Sequence, residues 1–227
     1  MASASADTVK LTFAPYQAGS GGEFNMSEYS NSAIKVQTVR SADDTFQTFC
    51  IEKNEFINDG ATYDYTLGAS AKQGGIGGGN PDPLSDASAF LFTQFWYGNI
   101  TAAASGHAYR WAGTEAEREA DAAELQKVFW VLEEEQAVST LGAAGTKARD
   151  WYDWANTEVG AGGSWTGTGQ VSVMNLWAKG HPNEADYKKQ SMMVIVPLPS
   201  AGIAGLALFG LVAVGTGIRR RRRSKQV

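Results

Sequence analysis

Residues 201–218, AGIAGLALFGLVAVGTGI, form an uncharged apolar run of eighteen residues, and five arginines, Arg219, Arg220, Arg221, Arg222 and Arg223, follow it directly. As a helix rising 1.5 Å per residue the run spans about 27 Å, close to a bilayer hydrocarbon core of about 30 Å. With Leu198 and Ser200 ahead of it, the run is just long enough to cross. A basic cluster at one end of such a segment acts as a stop signal and lies on the cytoplasmic side. A buried helix of a soluble core has no need of a pentaarginine end. The reading is therefore a transmembrane helix over 201–218, a basic cytoplasmic tail over 219–227, and a body that folds outside the membrane.

Charge divides the chain at the same place. Of the 19 basic residues six lie in the last segment, and all 24 acidic residues lie ahead of it, so residues 1–196 carry a net charge of about −11. An acidic body excludes nucleic acid as a partner, because phosphates demand a basic face. There is one cysteine and two histidines, His107 and His181. That rules out an intramolecular disulfide framework and a four-thiolate zinc site, and it leaves little for a multi-histidine metal centre.

Just before the apolar run stand Val196, Pro197, Leu198, Pro199, Ser200, Ala201 and Gly202. The prolines hold this stretch extended at the outer interface, since proline cannot continue a helix. Motif, apolar helix and arginine cluster in this order resemble the PEP-CTERM sorting signal in its Val-Pro-Leu-Pro variant. Leu198 stands where the commoner version carries Glu. The resemblance covers residues 196–227 and does not extend to the body. It implies export, transient anchoring in the inner membrane and processing by an exosortase, a membrane-embedded protease. The destination it implies is the cell envelope or extracellular matrix of a Gram-negative-type bacterium. Ala4-Ser5-Ala6 has the small-x-small form of a signal-peptide cleavage site, so residues 1–6 read as a leader remnant and Asp7 as the start of the mature body.

The body, residues 7–190, reads as strands, then helices, then strands. Val9, Leu11 and Phe13 alternate in a strand over 8–13, and strands are expected at 33–40, 45–52 and 61–67. The glycine-rich stretch 68–83 reads as a plain loop. Ser85 caps a strongly apolar helix over 86–97. Thr114 and Glu117 form a capping box for a long helix to about Val138, and a third helix covers 146–156. Strands follow at 170–179 and 188–196, with a linker over 191–200 carrying the sorting motif. The fold class is α+β, a β-sandwich or barrel-like domain with a helical insertion.

Outside the cytoplasm a thiol tends to oxidise, so the lone Cys50 calls for an explanation. In Thr48-Phe49-Cys50-Ile51-Glu52 it shares a strand face with Thr48 and Glu52. On the long helix, Gln126 has Ala122 and Trp130 as its i−4 and i+4 neighbours, a small residue and an indole that together form a slot for a carboxamide. Phe49-Cys50-Ile51 followed by Gln126-Lys-Val-Phe-Trp130 resembles the thioester domains of bacterial surface adhesins. Leu125 and Val128 replace the small residue and the alanine usual there. The resemblance implies an internal thioester between Cys50 and Gln126, later opened by an amine or hydroxyl of a surface or polysaccharide partner. This chemistry calls for no metal and no cofactor. It does need a proton carrier, and Glu52 and His107 are the candidates. The alternative is a reduced cysteine acting as a small apolar residue, with Gln126 at a helix edge.

Other constellations are weaker. The aspartates 43, 44, 59, 64, 82 and 86 fall in turns and caps without the spacing of a calcium loop, and Glu133–Glu135 reads as a solvated face. Nothing selects a glycosidase carboxylate pair, and the serine-hydrolase motif does not occur. Trp165, in a glycine-rich loop, is the one indole expected to be exposed for stacking on a sugar. A noncovalent carbohydrate-binding module, or a secreted hydrolase, therefore stands beside the non-enzymatic adhesive or structural reading.

Overall fold

The alternation of Val9 and Leu11 toward one side carries through into a longer strand than its first residues suggest. The computed structural model describes residues 7–19, 21–30, 34, 45–72 and 75–196. It divides the chain into a body, Met1–Val196, and a separate unit, Pro197–Val227. The motif residues 197–202, the apolar run and the arginines lie outside the described residues, as do residues 1–6 and nearly all of the expected strand at 33–40.

Strand β1 (Asp7–Ala18) turns at Gly19, whose φ of +59° suits glycine, into antiparallel β2 (Gly21–Ser27). The sheet continues with β3 (Phe46–Thr48), β4 (Thr62–Gly68), β7 (Val171–Ala178) and β8 (Lys188–Ile195), in the spatial order β3-β2-β1-β4-β7-β8. Every pairing is antiparallel. Two short strands, β5 (Ser70–Ala71) and β6 (Asp82–Pro83), make a separate ribbon within the stretch expected to be plain loop.

The two edges of the large sheet meet. Just after β3, Ile51 donates to Ser191 of β8 at 3.0 Å, Met193 donates to the Phe49 carbonyl at 3.3 Å, and Cys50 bridges Met192. The residues around Cys50 thus satisfy β8, which would otherwise be an open edge. Because Met192, Met193, Val194 and Ile195 are fully buried in this strand, β8 belongs to the body. The boundary expected at 190 moves to Val196, whose N–H is itself bonded to the Gln170 carbonyl at 2.8 Å.

Between β6 and β7 come α1 (Asp86–Tyr97), the short α2 (Ala102–Ser105), α3 (Glu115–Leu132) and α4 (Lys147–Val159). The caps are where local sequence puts them. Ser88 N–H donates to Ser85 Oγ at 3.1 Å, and Thr114 and Glu117 close the reciprocal box at 2.9 and 3.3 Å. Leu125, Val128 and Phe129 of α3 are fully buried, and the helix lies against β1 and β2. Phe49 plugs into this layer edge-on to Phe95 at 4.8 Å and tilted on Phe129 at 5.1 Å. Each such aromatic pair contributes about 0.5–1.5 kcal/mol beyond area burial. That packing fixes the position of the residue that follows, Cys50.

Helix α3 stops at Leu132, short of the expected end at 138, because the next residues serve a loop. Glu133 accepts from Ser85 N–H at 3.2 Å and Oγ at 2.6 Å, while Glu135 accepts from the N–H groups of Lys53 at 2.8 Å and Ile76 at 2.6 Å. Both are buried, so the expectation of a solvated acidic face is corrected for them. Loop and helix-cap N–H groups that no strand or helix pairs require acceptors, and these buried carboxylates supply them.

The same arrangement burdens Asp82. Burial first, then the charges of Glu133, Glu135 and Glu134, raise its carboxyl from 3.8 to about 6. The folded chain therefore keeps a proton that the unfolded chain has already released, and stability falls as pH rises from about 4 through about 6. We expect Asp82→Asn to raise Tm by roughly 2–4 °C at pH 8, with the advantage over wild type shrinking as pH falls toward 4. Thermal melts of both proteins across that range check it, and a pH-independent difference would contradict it.

Candidate functional site

Alternate residues of a strand point their backbone groups to opposite edges. Phe49 and Ile51 spend theirs on β8, so the N–H and C=O of Cys50 face the other way, toward α3. Gln126 meets them there. Cys50 N–H donates to Gln126 Oε1 at 3.0 Å, and Gln126 Nε2 donates to the Cys50 carbonyl at 2.8 Å. The side-chain carboxamide takes the place of a neighbouring peptide group. It is held at two points, 1% exposed, against a cysteine 3% exposed and 76 residues away in sequence.

The helix delivers Gln126 along one ridge. Arg118, Ala122, Gln126 and Trp130 follow at i, i+4 spacing, and all four are buried. Gly21, at the start of β2, lies against this ridge so closely that a Cβ there would stand 2.4 Å from Gln126 Cγ and 2.9 Å from Trp130 Cη2. Farther along, Glu23 takes a two-pronged contact from Arg118 (Nε to Oε1 2.9 Å, Nη2 to Oε2 2.7 Å), and the Tyr109 hydroxyl also donates to it. The Arg118 guanidinium lies 3.9 Å over the Tyr16 ring and 4.7 Å from the Trp111 ring centroid.

A cavity of about 230 Å³ opens beside this contact, lined by Phe13, Phe24, Cys50, Glu52, Glu55 and Trp130, among others. Phe56 at its rim is 74% exposed. The Trp130 indole N–H is buried without a partner among the described residues. Burial, and next the Glu52 charge, push the Cys50 thiol well above its ordinary 9.0, against a smaller opposing pull from its backbone hydrogen bond. The sulfur is thus a neutral thiol near neutral pH, inert unless a base takes its proton.

Glu52 is fully buried and faces the same cavity. Its Oε1 pairs with Lys188 Nζ at 2.6 Å and its Oε2 accepts from Ser191 N–H at 3.1 Å. Burial raises its carboxyl above the usual range, while Lys188 and Ser191 pull it back down. Lys188 did not stand out in the sequence. Its place in the site follows from the meeting of the two sheet edges, which no local pattern announces.

His107 is brought elsewhere. Its Nε2 lies 3.2 Å from the Gly145 carbonyl and 3.4 Å from Asp150, at the start of α4, and none of these contacts involves Cys50 or Gln126. Trp165 is also reassigned. It is partly buried, stands edge-on to Phe90 at 5.7 Å, and donates to the Gly167 carbonyl at 2.7 Å. A Cβ on Gly169 would stand 2.9 Å from its ring, so backbone covers part of the indole that a sugar would need. Of the expected sorting motif, Val196 alone lies among the described residues. Among the described residues no cluster of three or more His, Cys, Asp or Glu is placed to hold a metal ion, and no helix is long and apolar enough to cross a membrane. No protein-family model, curated protein or solved structure matches the chain significantly.

Proposed function

We propose that this chain is an exported bacterial surface or matrix protein whose body attaches covalently to its partner through an internal thioester between Cys50 and Gln126. The observation that carries this is the two-point seating of the Gln126 carboxamide on the Cys50 backbone inside the buried contact. It presents the side-chain carbonyl carbon to the residue bearing the chain's single sulfur. Gln126 does not sit at an open helix edge: it is 1% exposed, and both polar atoms of its side chain are spent on Cys50.

The chemistry balances without a metal or cofactor. The carboxylate of Glu52 takes the thiol proton, and sulfur attacks the Gln126 side-chain carbon. Charge develops on Oε1, where the Cys50 N–H already donates. The protonated Glu52 returns the proton to the amide nitrogen, the C–N bond breaks and ammonia leaves. Burial then shields the thioester from water until a partner amine or hydroxyl displaces Cys50 and becomes bonded to residue 126. Export and sorting rest on the sequence pattern at 196–227: the extended motif, the apolar run and the arginine cluster. The acidic body suits an extracellular partner such as a polysaccharide or a protein surface and does not suit nucleic acid.

Intact mass tests the core of this reading. The purified chain should be lighter than its sequence by one ammonia, Cys50 should resist alkylation, and methylamine should add at residue 126 while freeing the thiol. Cys50→Ala should restore the full mass. A wild-type chain of full mass with an alkylatable thiol after denaturation removes the thioester.

A further inference from the structure

A buried lysine is costly unless its charge is matched and hydrogen-bonded. Lys188 is buried at the start of β8, with Nζ 2.6 Å from Glu52 and 3.6 Å from Glu55. Lys188 reaches Glu52 from one side, while Glu52 shares the 230 Å³ cavity with Cys50. The neighbouring residues of β8 complete the mounting: Ser191 N–H donates to the second Glu52 oxygen at 3.1 Å, and the Gln190 side-chain amide donates to the Glu52 backbone carbonyl. Each Glu52 oxygen thus has its own donor, the geometry of a carboxylate held in one orientation.

We propose that Lys188 is a positioning residue for thioester formation, holding Glu52 as an oriented carboxylate at the Cys50 cavity so that it can accept the thiol proton and pass it to the departing ammonia. This rests on the thioester reading above. The charged and titratable groups around Glu52 are Lys188 from β8, Glu55 from its own segment, and Cys50, with Lys53 also lining the cavity. Burial favours the neutral acid and Glu55 adds to that, whereas Lys188 and Ser191 favour the carboxylate. Removing the lysine charge therefore shifts Glu52 toward the neutral acid and weakens it as a base beside a thiol that needs one. Removing the Glu55 charge acts in the opposite direction.

The full-length chain in detergent is first treated with ammonium, which opens the thioester back to the Gln126 carboxamide and the Cys50 thiol. Ammonium is then removed, and renewed loss of ammonia is followed by intact mass between about pH 5 and 9. Lys188→Met should re-form the thioester about tenfold or more slowly at pH 7, with the rate midpoint moved to higher pH. Lys188→Arg should recover most of the wild-type profile, because it restores the charge. Glu55→Gln, at a partly exposed position, should move the midpoint to lower pH, and it serves as the test even if Lys188→Met does not fold. The proposal is overturned if Lys188→Met keeps the wild-type midpoint, if Arg rescues nothing, or if Glu55→Gln leaves the midpoint unmoved. A wild-type chain that never loses ammonia overturns the thioester itself. One that loses it while the variants keep its profile overturns only the role of Lys188.

Discussion

Arg118→Met should destabilise the body by about 3–5 kcal/mol, the cost of stranding one partner of a buried ion pair. Glu23 is fully buried, and the two shortest charged contacts to it come from this guanidinium. Tyr109 cannot replace it. Burial and the Glu23 charge push the Tyr109 phenol well above 10.0, so it remains a neutral donor and brings no positive charge. The methionine would still fill the space between Tyr16 and Trp111 but would lose both cation–π contacts. Adding Glu23→Gln should recover much of the loss, because the stranded charge is then gone. Denaturant melts of wild type, Arg118→Met, Glu23→Gln and the double variant measure the coupling directly. Single and double losses that simply add would show that the pair is not a unit.

That pair also marks the limit of what the sequence discloses. The helix caps at Ser85 and Thr114 were legible because both partners lie within three residues. Strand β2 has no counterpart among the expected strands: Gly21 and Gly22 open it, and nothing local ties Glu23 to Arg118, 95 residues later. The carboxylates Glu133 and Glu135 misled in the same way, since their partners are backbone donors of distant loops. Polar residues whose partners are remote carry no local signal of burial. The fold class, strands around a helical insertion, survived because apolar periodicity is local. The arrangement of the sheet did not follow from it, because the meeting of β8 with residues 49–51 depends on register across 140 residues or more.

Cys50 and Gln126 were the exception, singled out as residue types in order along the chain. Their contact required the sheet edges to meet, so that Cys50 turns its backbone toward α3. Glu52 was legible from alternation with Cys50. Lys188 and Gly21, the two residues that set its charge and the spacing of the contact, were not. Both act through space across the sheet, and neither belongs to a recognisable pattern.

Gly21 therefore supplies the sharper test of the site. Gly21→Ala places a methyl 2.4 Å from Gln126 Cγ and 2.9 Å from Trp130 Cη2, distances that real Cβ atoms do not tolerate. The backbone there is held by pairing of Gly21 with Ala18 in the β1–β2 ladder, and α3 is held by its buried stripe, so Gln126 and Trp130 are the groups that must give way. Overpacking of this kind costs about 1–3 kcal/mol. Its chemical effect should be larger than its thermodynamic one. On the thioester proposal, a carboxamide displaced by about 1 Å from its two hydrogen bonds would lose its seat against Cys50 and the N–H that would stabilise the developing oxyanion. The expected result is a folded chain of full mass with a free thiol that alkylates on denaturation, and no methylamine adduct at residue 126. Gly68→Ala is the matched control. It lies in β4, with nothing closer than 3.9 Å to its added methyl, and should keep both stability and the ammonia deficit. If wild type and Gly21→Ala lose ammonia to the same extent, the seating of Gln126 on Cys50 is not what would make the proposed bond.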